Sequence, residues 1–170
     1  MEPIKSTIEI LAFKALNRNI NQVWVQWAVD MLVKGYDSDY LAVLANESEP
    51  FEQIRLQEIT TKILNELCLD YSDKDIAVKN YANYLIERAL NKEITNATVL
   101  SILKDIYLEL GCVNYIQDFY LLYCANKDLF YDSHQYYWPD TNRENINDVI
   151  TAYFISWKEA YLRNRIIFAD

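Results

Sequence analysis

The chain has 170 residues, is 52 % hydrophobic and 14 % aromatic, and carries a formal net charge of −9. A chain of this length and composition can bury a full core, which argues against global disorder. Two glycines (Gly35, Gly111) and three prolines (Pro3, Pro50, Pro139) are too few for the tight turns of a β-sandwich or barrel, or for a glycine-rich phosphate loop.

Helical periodicity runs nearly from end to end. The first helix is expected over about 7–17, with Ser6 and Glu9 as a capping box; MEPIKSTIEILAFKAL reads as an amphipathic start, not a secretory signal. In the second, Ile20, Val23, Trp24, Trp27, Ala28, Met31 and Leu32 recur at three-four spacing. Val25, Val29 and Val33 widen that face, so the helix reads as central in the core, and Gly35 is placed to end it in the left-handed conformation. Asp37 or Ser38 caps a short third helix to about Asn46. Ser48 or Glu49, with Pro50 in the first turn, opens a fourth that buries Phe51, Ile59, Ile63, Leu64 and Leu67. Ser72 with Asp75 opens a fifth whose face is Val78, Tyr81, Ala82, Leu85, Ile86 and Ala89. Thr95 opens a sixth, with Val99, Leu103, Ile106 and Leu110 inward and Gly111 just past its end. Asn114 with Gln117 opens a seventh to about Asn126. Thr141 with Glu144 opens the last, with Ile146, Val149, Ile150, Tyr153, Phe154, Trp157 and Tyr161 on one face. The expected fold is all-α: one domain over 1–170, seven or eight helices packed as antiparallel hairpins around the second and last. Trp27 to Leu32 and Tyr81 to Ile86 look alike, but two poor copies do not make a helical repeat.

One stretch resembles a pattern in small all-helical bacterial proteins of uncharacterised function. It comprises Trp27-Ala28, Met31-Leu32, Gly35, Asp37-Ser38, Leu41 and Leu44-Ala45, then Glu49-Pro50-Phe51-Glu52. The resemblance implies an all-α fold and adds no activity.

Candidate chemistry is sparse. Cys68, Cys112 and Cys124 are odd in number and widely spaced among apolar neighbours, and read as buried free thiols of a cytosolic protein. No apolar run is long enough to span a bilayer, and the acidic balance speaks against nucleic acid or an anionic membrane as partner. The asparagines of Asn46-Glu47-Ser48 and Asn96-Ala97-Thr98 match a glycosylation pattern by chance. One histidine, His134, rules out His-rich zinc sites. It could pair with Asp132 or Asp140 as a base, though a solvated loop histidine is the plainer reading. No metal, cofactor or catalytic residue is expected.

Two features point to protein binding. Residues 35–75 hold ten acids against three bases, a balance of −7 out of −9. Capping of helix N-termini explains most of them. Yet if the connections at 35–39, 46–52 and 70–75 share one end of the helices, Asp37, Asp39, Glu47, Glu49 and Glu52 would form a surface that steers a basic partner. The run Tyr136, Tyr137, Trp138 and Pro139 is either a lid folded onto a helix end or an exposed contact patch, and Asp132 and His134 just before it join the candidate partner-binding residues. The favoured reading is a non-enzymatic acidic interaction module of the bacterial cytosol, in one version an immunity-type neutraliser of a basic toxin. The alternatives are a small-molecule pocket lined by Trp24, Trp27, Tyr153 and Trp157, and a structural or self-associating subunit.

Overall fold

A computed structural model describes residues 2–167. Among them the chain forms eight α-helices, one 3₁₀ turn and no strand. The helices are α1 (Thr7–Ala15), α2 (Gln22–Val33), α3 (Asp39–Ala45), α4 (Gln53–Glu66), α5 (Lys74–Leu90), α6 (Asn96–Glu109), α7 (Gln117–Tyr131, after the 3₁₀ turn Asn114–Ile116) and α8 (Ile146–Ile167). The chain divides into two compact units, Met1–Tyr81 and Ala82–Asp170, with the division inside α5.

In the first unit α2 packs on α3 and α3 on α4. Trp24, Trp27, Met31, Leu41, Leu44, Leu56 and Ile63 are closed off from solvent, each contributing about 1.5–3 kcal/mol by burial. Only one side of α2 is core, however: Val33 is 83 % exposed. Thr7, a buried polar residue, accepts Trp27 Nε1–H at 2.9 Å and so ties α1 to α2. The expected capping box at the start of α1 is not made. Ser6 gives no side-chain cap, and the Glu9 carboxylate instead accepts the Tyr81 hydroxyl at 2.8 Å. A tertiary partner 72 residues away outcompetes the local one.

Helix α4 begins later than the proline suggests. Pro50 lies in the connection, and Gln53 starts the helix. The polar face of α4 then does a job hidden from hydrophobic periodicity. Gln53 accepts the Ile20 N–H at 2.8 Å and donates to the Ile20 carbonyl at 2.9 Å, while Gln57 Nε2 donates to the Arg18 carbonyl at 2.8 Å. These bonds satisfy the backbone of the α1–α2 connection.

In the second unit α6 and α7 form a hairpin, and α8 packs on α6. Leu85, Leu103, Ile106, Phe119, Leu122, Ile150 and Phe154 fill the core, with Tyr153 and Trp157 edge-on to Phe119. Asn142 and Asn145 open α8 reciprocally: Asn142 Oδ1 accepts the Asn145 N–H and Asn145 Oδ1 accepts the Asn142 N–H. This is a capping box one residue beyond the expected Thr141. The start of α5 shifts the same way, to Asp73, whose Oδ1 accepts the Ile76 N–H at 3.0 Å.

The cysteines overturn one expectation. All three are free, but Cys68 and Cys112 are exposed and Cys124 is half-buried. Cys68 and Cys112 have positive φ (52° and 68°) just past α4 and α6, where the chain leaves the helix at the surface. Apolar neighbours in sequence did not carry them inward because they sit at helix ends.

Candidate interaction surfaces

The acidic residues of the first unit fall into two groups. Ser38 caps α3 by accepting the Leu41 N–H, and its hydroxyl donates to Glu66 at 2.7 Å. The start of α3, with exposed Asp37 and Asp39, therefore lies at the C-terminal end of α4. Glu47, Glu49 and Glu52 lie at its N-terminal end, about 20 Å away along 14 helical residues. There Arg55 donates to Glu47 at 2.6 Å and to Glu52 at 3.1 Å, and these two bonds hold its guanidinium above its usual pKa. The three acidic connections thus do not merge into one surface: the 35–39 and 70–75 connections share one end of α4, and 46–52 is partly neutralised at the other.

The loop after α7 is built differently. Gln135 organises it: its Oε1 accepts the Tyr137 and Trp138 N–H groups at 2.8 Å each, and its Nε2 donates to the carbonyls of Trp138 and Thr141. Arg143 Nε donates to the carbonyls of Leu129 and Asp132, pinning the end of α7. Trp138 turns inward and packs edge-on to Tyr153, 5.4 Å between centroids. Tyr136 and Tyr137 turn outward, 94 % and 44 % exposed. One residue of the loop, Trp138, thus packs inward as a lid would, while Tyr136 and Tyr137 stay exposed.

Two further exposed aromatics, absent from the sequence-derived set, immediately precede this loop. Phe130 and Tyr131, at the end of α7, are 78 % and 76 % exposed, their rings 5.0 Å apart. Their signal was present in the helical phase. The buried stripe of α7 is Phe119, Leu122, Ala125 and Leu129, and positions 130 and 131 fall off it.

Asp132, Ser133 and His134 form a short polar arc. The Ser133 N–H donates to Asp132 at 2.6 Å and holds that carboxyl below its ordinary range, with the Ser133 hydroxyl and His134 adding to the effect. His134 Nδ1 lies 2.8 Å from Ser133 Oγ and 3.9 Å from Asp132 Oδ1. The His134 and Asp132 side chains are 77 % and 73 % exposed. Three consecutive solvated residues have no walled site around them in which a reacting group would be held.

The four aromatics considered as pocket walls are packing residues. Trp24 and Trp27 are buried edge-to-face at 6.5 Å, and Tyr153 and Trp157 abut Phe119. Among the described residues no group of three His, Cys, Asp or Glu could hold a metal ion, and no helix is long and apolar enough to cross a membrane.

The fold and surfaces define an all-α helical protein with an ordered, exposed aromatic loop. No family model matches the chain, and no solved structure matches it. Among curated proteins it is similar to a putative late blight resistance protein homolog of Solanum demissum. The two are 29 % identical over 131 residues, which cover 66 % of this chain and 10 % of that protein. The chain thus spans about a tenth of the length of that relative.

Proposed function

We propose that this chain is a non-enzymatic interaction module that docks a basic protein through the loop at the end of α7. The observation that carries the reading is the exposure of four aromatics within eight residues: Phe130 and Tyr131 at the end of α7, then Tyr136 and Tyr137 on the following loop, whose 137–141 backbone is bound by Gln135. Exposed aromatics of this density are costly to keep in water unless something covers them. Tyrosine offers a large contact area with few rotors to freeze, and a preformed loop lowers the entropic cost of binding. Asp132 and Asp140 on the same loop are exposed, which favours a cationic partner and lets its guanidinium or ammonium groups lie over the rings.

The net charge of −9 supports the basic character of the partner, and an immunity-type neutraliser of a basic toxin in the bacterial cytosol is one concrete version. Free thiols fit a reducing compartment. The similarity to a tenth of a plant resistance protein fits a helical unit that also occurs inside longer chains. A photo-crosslinking phenylalanine analogue at position 136, compared with one at exposed Thr98 on α6, tests the reading in the native host. A discrete adduct with a basic protein from position 136 alone is expected. Adducts from both positions alike, or none from 136, would overturn it.

A further inference from the structure

Tyr136, Tyr137, Trp138 and Asp140 line one open depression of about 650 Å³ on the loop after α7. That volume lies within the range of sites for drug-sized ligands, so the depression admits a long side chain together with the backbone that carries it.

The main chain of the depression is already engaged. The N–H groups of Tyr137 and Trp138 go to Gln135 Oε1, that of Asn142 goes to Asn145 Oδ1, and Pro139 has none. The carbonyls of Trp138 and Thr141 accept from Gln135, that of Pro139 from the Thr141 hydroxyl, and that of Asp140 from Asn145 Nδ2. A partner strand therefore finds no run of free groups to pair with. What remains on offer is ring faces and a carboxylate.

Elsewhere in the fold such a set holds a cation. Arg88 lies over the Tyr84 ring at 5.6 Å and donates to Glu93 at 3.2 Å. Lys104 lies over the Tyr123 ring at 5.1 Å and pairs with Asp105. At the loop, among the described residues, no cation lies over Tyr136 or Tyr137, and Asp140 has no ion-pair partner.

We infer that the depression takes an arginine side chain of the basic partner, its guanidinium against the Tyr136 and Tyr137 rings and its fork on the Asp140 carboxylate. The guanidinium is planar and weakly hydrated, so it stacks on a ring while it hydrogen-bonds a carboxylate; an ammonium keeps its water in a depression this open. The inference rests on the proposed function and deepens it by naming the group that the partner presents.

The probe is the acetylated, amidated peptide Gly-Arg-Gly-Arg-Gly, titrated at constant ionic strength and followed by aromatic NMR. Saturable millimolar binding is expected, read at the Tyr136 and Tyr137 rings. It should weaken by about threefold or more when lysine or neutral citrulline replaces arginine, and by as much in Asp140→Asn, as loss of a stacked, forked contact entails. Asp140 has φ 54°, a conformation that asparagine adopts readily, so the variant keeps the loop. No saturation, or equal binding of the lysine or citrulline peptide, or equal binding by Asp140→Asn, would each overturn the inference. A basic adduct from position 136 together with any of those results sinks this inference alone. Absence of a basic adduct sinks the reading beneath it as well.

Discussion

At the end of α1, the Lys14 ammonium donates to three oxygens of α4: the Gln57 carbonyl at 2.8 Å, Gln57 Oε1 at 2.9 Å and Thr60 Oγ1 at 2.9 Å. None is a carboxylate, and burial lowers the amine from 10.5 to about 8. Unfolded, Lys14 keeps its proton to a higher pH. Between pH 8 and about 10 the unfolded chain therefore binds more protons than the folded one, and this group makes stability rise with pH. Tyr153 acts in the opposite sense at higher pH. Burial, and then the Asp118 charge, raise its phenol well above 10, so the unfolded chain ionises first and stability falls. In urea denaturation, wild type minus Lys14→Met should climb from pH 8 to 9.5, and a flat difference would contradict the assignment. No sequence pattern announces this lysine, because its partners lie 43 and 46 residues away on a face judged by its hydrophobic positions alone.

Helix endings show how two glycines suffice for eight helices. α1, α2, α4 and α5 close with the same pair of backbone bonds, each around a residue of positive φ: Asn17, Gly35, Cys68 and Lys92. For α5, the Lys92 N–H donates to Ala89 and the Glu93 N–H to Arg88. Left-handed backbone costs a lysine energy that glycine avoids, partly offset by the entropy that glycine loses on folding. Lys92→Gly is therefore expected to stabilise by about 0.5–1 kcal/mol, measured by urea denaturation, and a loss of stability would contradict the account. The stripe of α5 was legible but for Ala77: Val78, Tyr81, Ala82, Leu85, Ile86 and Ala89 are all buried. That of α4 was not, because Leu56 and Thr60 are buried while Phe51, Ile59 and Leu67 are half-exposed. Phe51 precedes the helix and Leu67 caps its end, and within it the inward face is Leu56, Thr60, Ile63 and Leu64, not Ile59. Thr95 caps α6 as expected, and of the two residues offered for α3, Asp37 and Ser38, it is Ser38 that caps. The box at Ser6 failed where a distant tyrosine claimed its glutamate.

For the molecule as a whole, composition gave the helical class, and charge gave the direction of the partner hypothesis. The candidate site was legible only in part. Composition marks 130–138 as aromatic, but the outward turn of Tyr136 and the inward turn of Trp138 depend on Tyr153 and on four backbone bonds from Gln135. The first-half carboxylates look continuous along the chain, yet α4 separates them into two ends, and Arg55 pairs with Glu47 and Glu52 at one of them. The central claim is therefore carried by the aromatic loop. Its most direct test is calorimetric titration of the protein crosslinked from position 136 against wild type and Phe130→Ala/Tyr136→Ala, at about 50 and 300 mM salt. The account predicts at least about tenfold weaker binding by the double variant, as loss of a buried aromatic anchor entails, and weaker wild-type binding at the higher salt. Equal affinity of the two proteins, or an affinity indifferent to salt, would contradict it.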